Sequence, residues 1–299
     1  MRDKASATAL MIAESYVFLS FERRFRDLLP ERAVEWCRRF AHEAHGDNGC
    51  RWEFYASLLG RVASVREALS VPGIRLHYAV RKRFIEDAVR DAVAEGFEQI
   101  VVVAAGFDTL ALRLSEEFPG ARFFELDHPA TQAVKMRAID EGLAPENAPE
   151  NLAMVPIDLR RQSPFDVLST VSSFRADRST VMILEGILMY LTGSEVDRLL
   201  RSMATSGDKR RIIFSFLERQ KGGRIGFRQS TFFTTMWLAW KGEPFRWGIR
   251  EEELSIFLDG KGLHLKDRST AEVLRQRYLS GALRRERLAE GEHVAVADN

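Results

Sequence analysis

Two short stretches carry the residue types that a nucleoside ligand requires. The first is Ala104-Ala105-Gly106-Phe107-Asp108-Thr109, directly after the β-branched run Ile100-Val101-Val102-Val103. Gly106 can take the φ values of a tight turn, and its missing Cβ lets a ligand lie against the backbone. The second is Phe124-Glu125-Leu126-Asp127, about twenty residues on, the spacing at which a carboxylate accepts hydrogen bonds from both ribose hydroxyls. In an open α/β sheet, ligands bind beyond the carboxyl ends of the strands, where these residues fall. Together they imply an adenosine-containing cofactor, although a plain turn glycine and solvated loop acids would be written the same way. A nicotinamide-dependent oxidoreductase would place Gly-x-Gly-x-x-Gly at the turn, which Ala104 to Leu110 does not supply.

Other candidates lie further along. Glu185 closes a fourth apolar run and is expected to point into the crevice, with a buried capping acid as the alternative. Tyr190, within Leu188-Met189-Tyr190-Leu191, is either functional or a core aromatic with its hydroxyl satisfied. His77 and His128 are the available general bases, but His128 equally suits a cap on the helix that Pro129 opens. Arg81-Lys82-Arg83 fits a helix face or a small-anion contact better than a polyanion patch.

Positioning these residues takes an alternation of strands and helices. Strands are expected at Gln99–Ala104, Ala121–Leu126, Leu152–Pro156, Thr180–Leu184, Arg211–Phe216, Leu263–Lys266 and His293–Ala297. A helix over Tyr78–Glu95 precedes the first, and Gly96 ends it. The intervening helices imply right-handed βαβ crossovers. Between Thr8 and Leu69 helical spacings predict two or three helices, and further helices fall near Arg250–Asp259 and Ala271–Leu279. From Leu217 to Gly248 the pattern gives way to Phe227, Phe232, Phe233, Trp237, Trp240, Phe245 and Trp247, which suit an apolar lid or an equally plain packing cap.

Composition narrows the class. Lys and Arg number 44 against 43 Asp and Glu in 299 residues, a net charge of +1, so no global field draws the chain to nucleic acid or an anionic membrane. Cys37 and Cys50 form neither a CxxC nor a Cys/His cluster, which argues against a zinc site or a disulfide framework and for a reducing cytoplasm. No signal-peptide pattern opens the sequence, and no run of about 20 apolar residues occurs.

The ordered set Val80-Arg81-Lys82-Arg83-Phe84-Ile85-Glu86-Asp87, Val103 to Thr109, Phe124 to Pro129, Pro156-Ile157-Asp158-Leu159 and Leu184-Glu185-Gly186-Ile187-Leu188-Met189-Tyr190-Leu191-Thr192 resembles the leucine carboxyl methyltransferase family. Gly242-Glu243-Pro244-Phe245-Arg246-Trp247-Gly248-Ile249 is similar to its bacterial branch of S-adenosylmethionine-dependent O-methyltransferases linked to polyketide-type metabolism. The likeness spans roughly Tyr78 to Leu279.

This resemblance implies a class I methyltransferase (Rossmann-like) α/β fold, with a seven-stranded, mostly parallel sheet covered by helices on both faces. An N-terminal helical extension or lid over 1–77 would precede the catalytic domain over 78–299, with an aromatic-rich insertion at about 217–248. The cofactor would be S-adenosylmethionine, with Arg81 or Arg83 on its carboxylate, Ala104 and Gly106 at its methionine part, Asp127 on the ribose, and Asp158 with Leu159 at the adenine. Glu185 would lie near the cofactor's amino group or the acceptor, with Glu185 and Tyr190 as catalytic candidates and no metal. The acceptor would be a small molecule methylated on a carboxylate, already ionised at neutral pH, or on a hydroxyl, which needs a base. One departure stands out: relatives carry Gly-Ala-Gly where this chain has Ala104-Ala105-Gly106, a methyl group where cofactor approach is close. A binding protein without turnover is therefore a second expectation.

Overall fold

The computed structural model describes residues 5–144, 148–205, 209–230 and 244–299. Helices α1 (Ala7–Ser20), α2 (Glu31–His45), α3 (Gly49–Ser70) and α4 (Ile74–Ala94) lead into β1 (Gln99–Val103). There follow α5 (Leu110–Glu117), β2 (Arg122–Asp127), α6 (Pro129–Gly142), β3 (Leu152–Pro156), α7 (Pro164–Leu168), β4 (Thr180–Leu184), α8 (Gly193–Thr205) and β5 (Arg210–Leu217). The chain closes with α9 (Leu254–Asp259), β6 (His264–Ser269), α10 (Ala271–Tyr278) and β7 (Glu292–Asp298). All seven expected strands are therefore present. They fall in two compact units: Met1–Val65 with Gln99–Phe174, and Arg66–Glu98 with Arg175–Asn299.

In the first unit β1, β2 and β3 pair in parallel, Val103 opposite Leu126 and Asp127 opposite Pro156. All five residues of β1 are buried, as the unbroken β-branched run requires of a strand covered on both faces. The strand stops at Val103 rather than at Ala104, because Ala104 turns into the left-handed region at φ 57°. The N-terminal helices are part of this unit's core. Phe40 of α2 stacks on Phe107 of the first turn with ring centroids 6.0 Å apart, and Trp36 stacks on Phe40 at 5.8 Å.

In the second unit β4 and β5 are parallel, while β7 runs antiparallel between β5 and β6. The fold is thus α/β and mostly parallel. Helix α4 starts at Ile74, ahead of the expected Tyr78. Gly73, at φ 85°, turns the chain where a Cβ would strike the Arg287 carbonyl oxygen at 2.5 Å. The helix packs on α10, where the Tyr278 hydroxyl donates to Asp87 at 2.8 Å and Arg277 lies 5.2 Å over the Phe84 ring.

Of the aromatic stretch, Phe227 and Trp247 are buried, which is packing. Phe232, Phe233, Trp237 and Trp240 lie outside the described residues. Gln220 to Arg224 makes a tight turn, with the Gln220 N–H donating to the Arg224 carbonyl at 2.8 Å.

Candidate functional site

The first βα turn is closed by hydrogen bonds its sequence supplies. Asp108 accepts the N–H groups of Thr109 at 2.6 Å and Leu110 at 3.1 Å, satisfying donors at the start of α5. Gly106, at φ 55°, donates its N–H to Asp127 Oδ2, and His128 donates its N–H to Asp127 Oδ1 at 2.6 Å. The glycine and the acid read from spacing alone are in direct contact. A side chain at 106 would meet the Ala9 methyl of α1 at 2.8 Å, so the packing of α1 on this turn depends on that glycine. Burial raises the Asp127 carboxyl above its ordinary range, against the pull of the His128 and Gly106 N–H groups.

Ala104 is the one non-glycine residue with positive φ among the described residues. The strain of its methyl group therefore lies in the backbone, on the order of 1–2 kcal/mol. Ala104→Gly relieves that strain but gives freedom to the unfolded chain, so the variant is expected to be about 0.5–1 kcal/mol more stable in chemical denaturation. A less stable variant would show that the left-handed turn costs nothing here.

Glu125, also on β2, is neither solvated nor at the surface. It is 1% exposed and ion-paired at 2.5 Å with Lys135 of α6, which also donates to the Asp108 carbonyl at 2.5 Å. Burial raises the Glu125 carboxyl, with Lys135 pulling the other way. Lys135 thus ties α6 to the turn that presents Gly106.

The second unit holds a denser cluster. Arg81 of α4, 2% exposed, donates through Nε at 3.0 Å and Nη2 at 2.6 Å to Glu185 Oε1, and through Nη1 at 2.5 Å to Glu292 Oε2. Lys82 donates to Glu185 Oε2 at 3.0 Å, and His77 Nε2 lies 3.1 Å from Glu292 Oε2. The Tyr78 ring sits 4.9 Å from the guanidinium carbon, and burial pushes the Tyr78 phenol up. Burial also opposes the charge on Glu292, but Arg81 and His77 overcome it and hold that carboxyl at about 2.

The two arginines of the basic motif part company. Arg81 faces the carboxylates, and Arg83 lies over the Tyr278 ring at 5.4 Å. Asp158 takes both arms of Arg160 at 2.9 Å, which hold its carboxyl at about 2, and Leu159 beside it is half-buried. Tyr190 packs against Phe245 at 5.9 Å, beside Met189 and Phe227. Of the two histidines, His128 Nδ1 accepts from the Ala130 N–H at 3.3 Å and caps α6, while His77 is fully buried. Sequence reasoning missed Lys135 and Glu292. For Glu292 the signal is a charge at the head of an apolar last strand; Lys135 shares its buried face with Thr131, Gln132 and Ala138, and such a mixed face gives no sequence signal.

These elements make an α/β Rossmann-like protein. A DUF574 family protein from Streptomyces avermitilis MA-4680 shares the fold with a TM-score of 0.57 at 15% identity, over 81% of this chain and 89% of that one. Residues 28–204, more than half of the chain, match the leucine carboxyl methyltransferase family model, and the chain belongs to that family. A Mycobacterium bovis (strain BCG / Pasteur 1173P2) protein provisionally named an S-adenosyl-L-methionine-dependent methyltransferase is 38% identical over 122 residues, 41% of this chain. A Parafrankia protein (strain EAN1pec) with the same provisional name is 34% identical over 143 residues, 47% of this chain. The chain spans 34% and 42% of the length of these two relatives. Among the described residues no helix is long and apolar enough to cross a membrane, and no group of His, Cys, Asp and Glu is placed to hold a metal ion.

Proposed function

We propose that this chain binds S-adenosylmethionine and transfers its methyl group to a carboxylate or hydroxyl oxygen of a small organic acceptor. The observation that carries the proposal is the contact of the Gly106 N–H with the Asp127 carboxylate at the end of β2. Asp127 offers acceptors for ribose hydroxyls, beside Asp158 and Leu159 for the adenine. Taken by themselves, Arg81 and Lys82 are of the type that takes an α-carboxylate and Glu185 of the type that takes an α-ammonium. Family membership and the provisional names of the relatives support the same cofactor.

Bound S-adenosylmethionine supplies an electrophilic methyl carbon on a sulfonium, so the chain's task is to bind, orient and exclude water. Arg81 in preference to Arg83 takes the methionine carboxylate, because Arg83 is engaged on Tyr278. His128, spent as a helix cap, and His77, held by Glu292, leave neither histidine as the base. A carboxylate acceptor, which needs none, suits this site better than an alcohol.

Titration calorimetry with S-adenosylmethionine, and with NAD in parallel, tests the proposal: only the former is expected to bind. Asp127→Ala is expected to weaken binding by about 1–3 kcal/mol, roughly five- to hundredfold. Unchanged affinity in a variant that unfolds at the wild-type temperature would place the ribose elsewhere.

A further inference from the structure

Arg81 has one partner that the cofactor assignments leave unused. Glu292 is the first residue of β7, paired with Leu217 of β5 in the ladder. Its side chain is 1% exposed, and its Oε2 accepts from both Arg81 and His77. Glu185 is placed differently. It follows the last residue of β4, precedes Gly186 at φ 69°, and its side chain is 9% exposed. One carboxylate is therefore fixed by a strand in the core, and the other stands at a strand end where it can change partners.

We infer that Glu292 is a positioning residue for the amino-acid end of the cofactor, holding Arg81 in place while Glu185 exchanges its hold on Arg81 for the incoming ammonium. This rests on the S-adenosylmethionine assignment above. An α-amino acid end carries one positive and one negative group, so it adds no net charge to the cluster. What it requires is that the Arg81–Glu185 contacts open, with the guanidinium keeping its plane. Tyr78 fixes the face of that plane, and Glu292 fixes the Nη1 edge. With Glu292 neutral, Arg81 has a single charged partner left among these residues, and the ligand must break a tighter Arg81–Glu185 pair.

The test is calorimetric titration of wild type, Glu292→Gln and Glu292→Asp with S-adenosylhomocysteine and with 5′-methylthioadenosine, which lacks the amino-acid end. Glu292→Gln is expected to bind S-adenosylhomocysteine about tenfold more weakly and 5′-methylthioadenosine as wild type does, with Glu292→Asp between. Thermal unfolding without ligand confirms that each variant is folded, and if Glu292→Gln is not, Glu292→Asp carries the comparison. Equal weakening toward both ligands would mean a general structural role and overturn the inference, as would unchanged affinity for S-adenosylhomocysteine. Binding of neither ligand by wild type would instead remove the cofactor assignment itself.

Discussion

Lys135→Met is expected to destabilise the protein by about 3–5 kcal/mol, the cost of leaving a buried carboxylate without its counter-ion. Lys135 and Glu125 are each 1% exposed and lie 2.5 Å apart. Methionine fills much of the lysine's volume, so the loss is of charge and hydrogen bonds more than of packing. The dependence on pH separates this from a packing defect. Burial already raises the Glu125 carboxyl in the folded state, and without Lys135 it rises further. A folded-state carboxyl above its unfolded value keeps a proton that the unfolded chain releases, so stability falls as pH climbs through that interval. The deficit of Lys135→Met should therefore be smallest in acid and grow toward neutrality, and Lys135→Met with Glu125→Gln should recover most of it. Chemical denaturation at several pH values checks this. A deficit below about 1 kcal/mol that does not vary with pH would show the pair to be a surface-like contact.

The order of strands was legible because burial on both faces writes itself as unbroken apolar runs. Ile100 to Val103 and Thr180 to Leu184 have that character, and both strands are buried throughout. The edges were less legible where charge enters the core. Arg210 falls in the loop before the expected strand and Arg211 at its first position, where a charge suggests exposure, yet both are buried. Arg210 donates to the Ala176 and Arg178 carbonyls at 2.5 Å, and Arg211 meets both oxygens of Asp298 at 2.7 Å. Such pairing is tertiary, so no local pattern announces it.

The same divide runs through the candidate site. Gly106 and Asp127 could be found because a turn and a strand end lie at a fixed spacing, and their contact follows from the parallel register of β1 and β2. The choice between Arg81 and Arg83 could not be made from sequence. The two are a helical turn's fraction apart, and only the position of β7 decides which faces Glu292. The sequence shows a methyl group at Ala104 beside the expected ligand; the structure adds that this Cβ is carried on a left-handed backbone, which spacing cannot reveal.

Acid should expose the Glu292 contact directly. Its carboxyl is held at about 2 in the folded protein against a normal value of 4.5. A folded-state carboxyl below its unfolded value contributes stability that is fully present above about pH 4.5 and is lost as pH falls toward 2. Between those limits the folded chain takes up the proton later than the unfolded one, and the integrated effect is on the order of 3 kcal/mol. Glu292 faces Arg81 and His77, both buried, so solvent does little to screen it. Asp158 and Glu95, also held near 2, steepen the wild-type acid limb, but they remain in Glu292→Gln and cancel in the comparison. Asp127 and Glu125 are shifted upward instead, so their contributions run in the opposite sense and at higher pH. The difference in unfolding free energy between wild type and Glu292→Gln should accordingly be constant above pH 5 and shrink by about 3 kcal/mol on acidification. Parallel curves down to pH 2.5 would mean that Arg81 does not hold Glu292 charged, and that the anchor on the Arg81 guanidinium lies elsewhere.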